Sequence, residues 1–132
     1  MSRFSPDEKW KKFGKELRDF MKAGDFFGLG TVYYKMADFL KRESKDGGQL
    51  RGLGYEMKKR FQNTELDNYA SSEVVAGVQI LGVGDSSCEN CKKLNGLILT
   101  TEEANIKKLI PVKNCTHKYG CRCVYLPKVK RS

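Results

Sequence analysis

Five cysteines and one histidine are the residues of this 132-residue chain best suited to chemistry, and all six fall within its last 45 positions. They run Cys88-Glu89-Asn90-Cys91, then Cys115 and His117, then Cys121-Arg122-Cys123. A C-x-x-C turn lets two sulfurs face one ion, and a second Cys/His group follows 24 residues after Cys91. That spacing is characteristic of a tetrahedral metal site, and thiolate-rich sites of this kind most often hold structural zinc.

Cys88 and Cys91 supply the first pair of ligands. The second pair comes from Cys115, His117, Cys121 and Cys123, of which a tetrahedral ion takes two. With residues 121–125 read as a strand, one of Cys121 and Cys123 is expected to bind and the other to be buried or at the strand's edge. The expected ligands are Cys88, Cys91, Cys115 and Cys121 around one zinc ion, with Cys123 and His117 as alternates. Two plainer readings compete: buried, unliganded thiols, and a redox pair. A redox pair expects C-x-x-C at the start of a helix in a βαβ setting, whereas Lys92-Lys93-Leu94-Asn95-Gly96 turns quickly.

Catalytic patterns are not evident. His117 has no nucleophile placed beside it in sequence, and an HNH nuclease needs more than one histidine. Asp85, Glu89, Glu102 and Glu103 stand near the cluster without forming H-E-x-x-H. A zinc-dependent or thiol enzyme is the alternative from that class.

The elements that must position the cluster follow from periodicity. Ser5-Pro6-Asp7-Glu8 is a helix start with a capping box; Trp10, Phe13, Leu17, Phe20 and Met21 recur at helical spacing, and Gly24 ends the run. Asp25 caps a second helix with the stripe Leu29, Val32, Tyr33, Met36, Phe39 and Leu40, ending near Asp46-Gly47-Gly48. A third carries Leu50, Leu53, Met57 and Phe61 before Asn63-Thr64. Gly28-Leu29-Gly30 is echoed by Gly52-Leu53-Gly54, which fits coincidence or close helix packing. Residues 74–81 and 97–100 read as strands, Thr100 and Glu103 open a short helix through Leu109 that Pro111 stops, and 122–126 reads as a third strand before a basic tail. The expected fold is α+β: an N-terminal bundle of about three helices, residues 1–70, with a small zinc-stapled β-rich unit, residues 71–132.

Net charge is +9. Residues 1–64 hold fifteen Lys/Arg against nine Asp/Glu, so the basic excess is mainly helical. A basic face suits nucleic acid or an acidic protein surface; the plainer reading is a solvated surface where lysines outnumber acids. Tyr33-Tyr34 and Trp10 amid lysines could stack on bases, although aromatics at helical spacing more often build a core. No signal-like or membrane-length apolar run is present in the sequence. An odd cysteine count argues against a disulfide framework, and the expected location is a reducing, cytoplasmic one.

Asp85-x-x-Cys88-x-x-Cys91-x-x-Leu94-Asn95-Gly96, followed by Gly120-Cys121-Arg122-Cys123-x-x-x-x-Pro127, resembles the C-terminal segment of phage head-morphogenesis (minor head) proteins. The resemblance covers about a third of the chain and implies a metal site within a phage or prophage-derived assembly protein. Cys115-Thr116-His117-Lys118-Tyr119-Gly120 stands where that family has His-Pro-Asn, so the third ligand departs from its pattern. The expected function is a non-catalytic, zinc-stabilised binding module for nucleic acid or a protein assembly.

Overall fold

A computed structural model of the chain describes residues 6–82, 89–112, 115 and 120–130. Ser5, Asp85, Cys88 and His117 lie outside the described residues. The fold is α+β, with three N-terminal helices followed by a small antiparallel sheet and two short helices. Two compact units are distinguished, residues 1–58 and residues 59–132.

In the first unit, α1 (Pro6–Ala23) is closed by Gly24, whose φ of +68° is open to glycine without the Cβ penalty. Asp25 then caps α2 (Phe26–Arg42), its Oδ1 accepting from the Gly28 N–H at 2.9 Å. The α1 stripe meets α2 through edge-to-face rings: Trp10 lies 5.7 Å from Phe13 and 5.6 Å from Phe39. Tyr34 is buried on α2. Trp10 and Tyr34 thus both take part in packing.

The third helix differs from its expected form in length and in face. α3 (Gly48–Ala70) runs past Asn63-Thr64, because these are weak helix formers, not breakers, and because Leu66 and Tyr69 join the core of the second unit. Its buried line is Gly54, Lys58, Gln62 and Leu66, an i, i+4 row. Leu50, Met57 and Phe61 are only half-buried and Leu53 is exposed. Lys58, 1% exposed, fits this line because its Nζ lies 4.9 Å from the centre of the Phe27 ring and 5.1 Å from that of Tyr34. Such desolvated cation–π contacts are worth about 2 kcal/mol.

The glycine echo has a partial structural meaning. A Cβ on Gly30 would meet the Gly54 carbonyl oxygen at 2.9 Å and Lys58 Cγ at 2.8 Å; one on Gly54 would meet the Tyr34 ring at 2.8 Å and the Gly30 carbonyl oxygen at 3.0 Å. The backbones of α2 and α3 touch here. Gly28 is likewise pressed by the Phe20 ring, at 2.6 Å, whereas Gly52 faces open space.

The second unit is built on the sheet β2-β1-β3, antiparallel throughout. β1 (Val75–Leu81) is central, β2 is Ile98–Thr100 and β3 is Val124–Val129. β3 thus starts two residues later than the alternation of apolar residues suggests and takes in Lys128 and Val129, expected as tail. Pro127 is tolerated there because β3 is an edge strand. The inner face carries Val78, Ile80, Leu99 and Tyr125, to which Leu66 and Ala104 add helix contacts.

Two short helices flank β2: α4 (Glu89–Leu94) and α5 (Thr101–Lys107). α5 opens with the full capping box: Thr100 Oγ1 accepts from the Glu103 N–H at 3.0 Å and Glu103 Oε1 from the Thr100 N–H at 3.0 Å. It ends at Lys108, left-handed at φ +48°, before Pro111 is reached. No described helix is long and apolar enough to cross a membrane.

The glycine geometry makes a paired prediction. Gly54→Ala, with backbone and ring on either side, destabilises the protein by about 1–3 kcal/mol. Gly52→Ala, with room for the methyl group, stabilises it by about 0.5–1 kcal/mol. Denaturant midpoints of the two variants check this, and equal shifts would contradict the close helix crossing.

Candidate metal centre

Three stretches distant in sequence deliver sulfur to one place. α4 carries Cys91 on its buried side. Cys115 lies between α5 and β3, and Cys121 and Cys123 lie on the segment leading into β3. All four are buried and none is in a disulfide. They are members of the same core cluster as Val78, Ile80 and Tyr125, so the sulfurs sit inside the hydrophobic core.

The spacing of the sulfurs is informative. Cys91 Sγ is 3.7 Å from Cys115 Sγ and 3.8 Å from Cys121 Sγ. Sulfurs about 2.3 Å from a tetrahedral zinc stand about 3.8 Å from one another, whereas a disulfide needs about 2.0 Å. Cys91, Cys121 and Cys123 form a set whose sulfurs all lie within 4.8 Å of one another. Cys115 joins this set through Cys91.

Of the residues singled out in the sequence, then, Cys91, Cys115, Cys121 and Cys123 are brought together, while Cys88 and His117 are outside the described residues. The expectation that only one of Cys121 and Cys123 joins the site is corrected: both sulfurs lie with that of Cys91. Residues two apart on a pleated chain share a side, so a strand here would not have separated them. Both side chains turn toward Cys91.

The thiols polarise one another. Cys121 is held down to about 6, first by the hydrogen bond from the Cys123 thiol, then by backbone hydrogen bonds from Val112 and Cys123 and by the Cys91 thiol, all against burial. The same bond pushes Cys123 up, helped by burial and by negative charge on Cys121 and Cys91. One sulfur is thereby a thiolate and its neighbour a donor to it. Since the thiolate is the form that binds metal, a metal would displace the shared proton. Tyr125, nearby in the core, is pushed up by burial and stays neutral.

Gln62 is the feature that periodicity missed. It is 2% exposed on α3, and its Nε2 donates to the Cys123 carbonyl oxygen at 2.9 Å. Its Oε1 is buried without a hydrogen-bond partner among the described residues, a state that costs about 1–3 kcal/mol. The one trace of it in the sequence is the i, i+4 row Gly54, Lys58, Gln62 and Leu66, and a lysine and a glutamine do not read as a buried line.

No protein-family model, no curated protein and no solved structure matches the chain.

A pH dependence follows for protein stripped of metal and kept reduced. Folded Cys121 ionises near 6 against an ordinary thiol value of 9.0. Between these limits the unfolded chain binds the extra proton, so stability rises with pH. The contribution is full above 9 and is lost as pH falls through 6. Cys123, raised, acts oppositely above 9. The melting temperature should rise from pH 6 to pH 8, and Cys121→Ser should remove that rise. A rise of the same size in Cys121→Ser would mean that another group is responsible.

Proposed function

We propose that the cysteine cluster binds one zinc ion as a structural centre, and that the chain is a non-catalytic binding module whose C-terminal unit the ion holds together. The observation that carries this is the 3.7 Å and 3.8 Å separation of buried sulfurs around Cys91, the edge length of a zinc–thiolate tetrahedron. Cys91, Cys121 and Cys123 are three ligands, and Cys115 is the fourth by proximity, with Cys88 the alternative. Burial of all four sulfurs in the core favours a closed, structural site over an open catalytic one.

The partner is nucleic acid or an acidic protein surface, met through the basic helical half. Supporting this, Lys11, Lys12, Lys15, Arg18 and Lys22 are exposed on α1. Nucleic-acid affinity that falls steeply as salt rises is the expected behaviour; affinity insensitive to salt would exclude the phosphate backbone as the target. A phage or prophage-derived head-assembly protein is the second reading, favoured by the Gly120-Cys121-Arg122-Cys123 ending, two of whose cysteines belong to the cluster. Concentration-dependent assembly without nucleic-acid affinity would select it.

Metal analysis tests the centre directly. Purified under reducing conditions, the chain should carry about one zinc per molecule, and fewer than about 0.5 would sink the proposal. Single Ser variants at Cys91, Cys121 and Cys123 should each lose most of the metal. Between Cys115→Ser and Cys88→Ser, the variant with the greater loss identifies the fourth ligand. Chelation should unfold the β-rich unit while helical circular dichroism from residues 6–58 partly persists.

A further inference from the structure

Gln62 departs from the pattern of the core it occupies. It stands on the buried line of α3 with Leu66 one turn on, where an apolar side chain would fill the space without polar cost. Its amide instead keeps one buried hydrogen bond, to the Cys123 carbonyl oxygen at 2.9 Å, and leaves Oε1 without a partner among the described residues. The orientation is dictated: turning the amide over would set oxygen against the Cys123 carbonyl oxygen. Gln62 and Cys123 are 61 residues apart in sequence, so this contact fastens the ligand-bearing segment to α3.

We infer that Gln62 is the positioning residue of the metal centre: its amide N–H, by holding the Cys123 carbonyl, sets the direction of the Cys123 sulfur. This rests on the metal reading proposed above. The peptide plane after Cys123 is held on its carbonyl side by Nε2 and on its other side by entry into β3 at Val124. With both sides held, the backbone at Cys123 has one setting, and the thiol is presented to Cys91 and Cys121 before metal arrives. Outer-shell hydrogen bonds of this kind typically alter metal affinity by about 10- to 100-fold when removed. The unsatisfied Oε1 is the structural cost of keeping a donor at this place.

Gln62→Met keeps the length and packing of the side chain and removes the donor; Gln62→Leu is a second apolar replacement. Both are titrated with Co2+ alone, and then with Zn2+ in competition with a chromophoric chelator, while the melting temperature of each metal-free form is recorded. The expected result is an affinity about 10- to 100-fold weaker than wild type, with a changed cobalt d–d spectrum. Metal-free melting should change little, because the unpaired Oε1 is removed while the Cys123 carbonyl loses its donor. Wild-type affinity and spectrum in both variants would overturn the inference. So would a weaker affinity that merely follows a lowered metal-free melting temperature, with an unaltered spectrum. If wild-type protein takes up neither Co2+ nor Zn2+, the metal reading itself fails and this inference falls with it, an outcome separate from the other two.

Discussion

Four sulfurs meeting inside a hydrophobic core is the constraint on which the C-terminal unit depends. A three-stranded sheet with one short edge strand encloses little apolar volume, and here much of the space beside Val78, Ile80, Leu99 and Tyr125 is filled by thiols rather than by hydrocarbon. Thiols are small hydrophobes when protonated and strong ligands when ionised. The cluster holds both forms: Cys121 is favoured as the thiolate while Cys123 keeps its proton. A core of this composition packs only if α4, Cys115 and the segment before β3 converge, so the folding of three separate stretches is tied to one point.

The N-terminal unit obeys a different constraint, the close approach of two backbones. Gly30 and Gly54 allow α2 and α3 to touch, and the contact is roofed by Tyr34 and by the stem of Lys58. The lysine's charge is placed over two aromatic rings instead of in water. A buried lysine and a buried glutamine on one helix line are a costly way to fill space with side chains, and each is offset by a specific partner: rings for Lys58, the Cys123 carbonyl for Gln62. The same helix thus uses polar atoms for two unrelated packing tasks along its length.

Function follows from where the charges and the sulfurs separately lie. The lysines of α1 project from a helix without a fully buried residue, whereas the cysteines are enclosed. Chemistry that needs access to solvent is poorly served by the enclosed sulfurs; holding an ion is well served. The exposed charge lies on the helices instead, where Trp10, Phe13 and Phe39 pack edge to face.

Much of the architecture was legible from residue order alone. Caps and breakers act within a few residues, so Asp25, Thr100 with Glu103, and Gly24 marked helix ends correctly, and β-branched runs marked β1 and β2. The grouping of cysteines pointed to a cluster that could hold a metal ion, and three of them do come together with Cys115 beside them. What tertiary structure decided were matters that depend on contacts between distant residues. α3 outlasts Asn63-Thr64 because Leu66 and Tyr69 find a core to enter. Its buried line is polar because partners exist for Lys58 and Gln62, and no helical period can announce a partner. Cys121 and Cys123 both reach Cys91 because the chain before β3 is packed against α4, and β3 begins at Val124 because where a strand begins is set by its pairing with β1 rather than by its own residues. The sequence by itself determined that sulfur ligands were at hand; the fold decided which of them meet, since only packing brings α4, Cys115 and the approach to β3 within 4 Å of each other's sulfurs at Cys91.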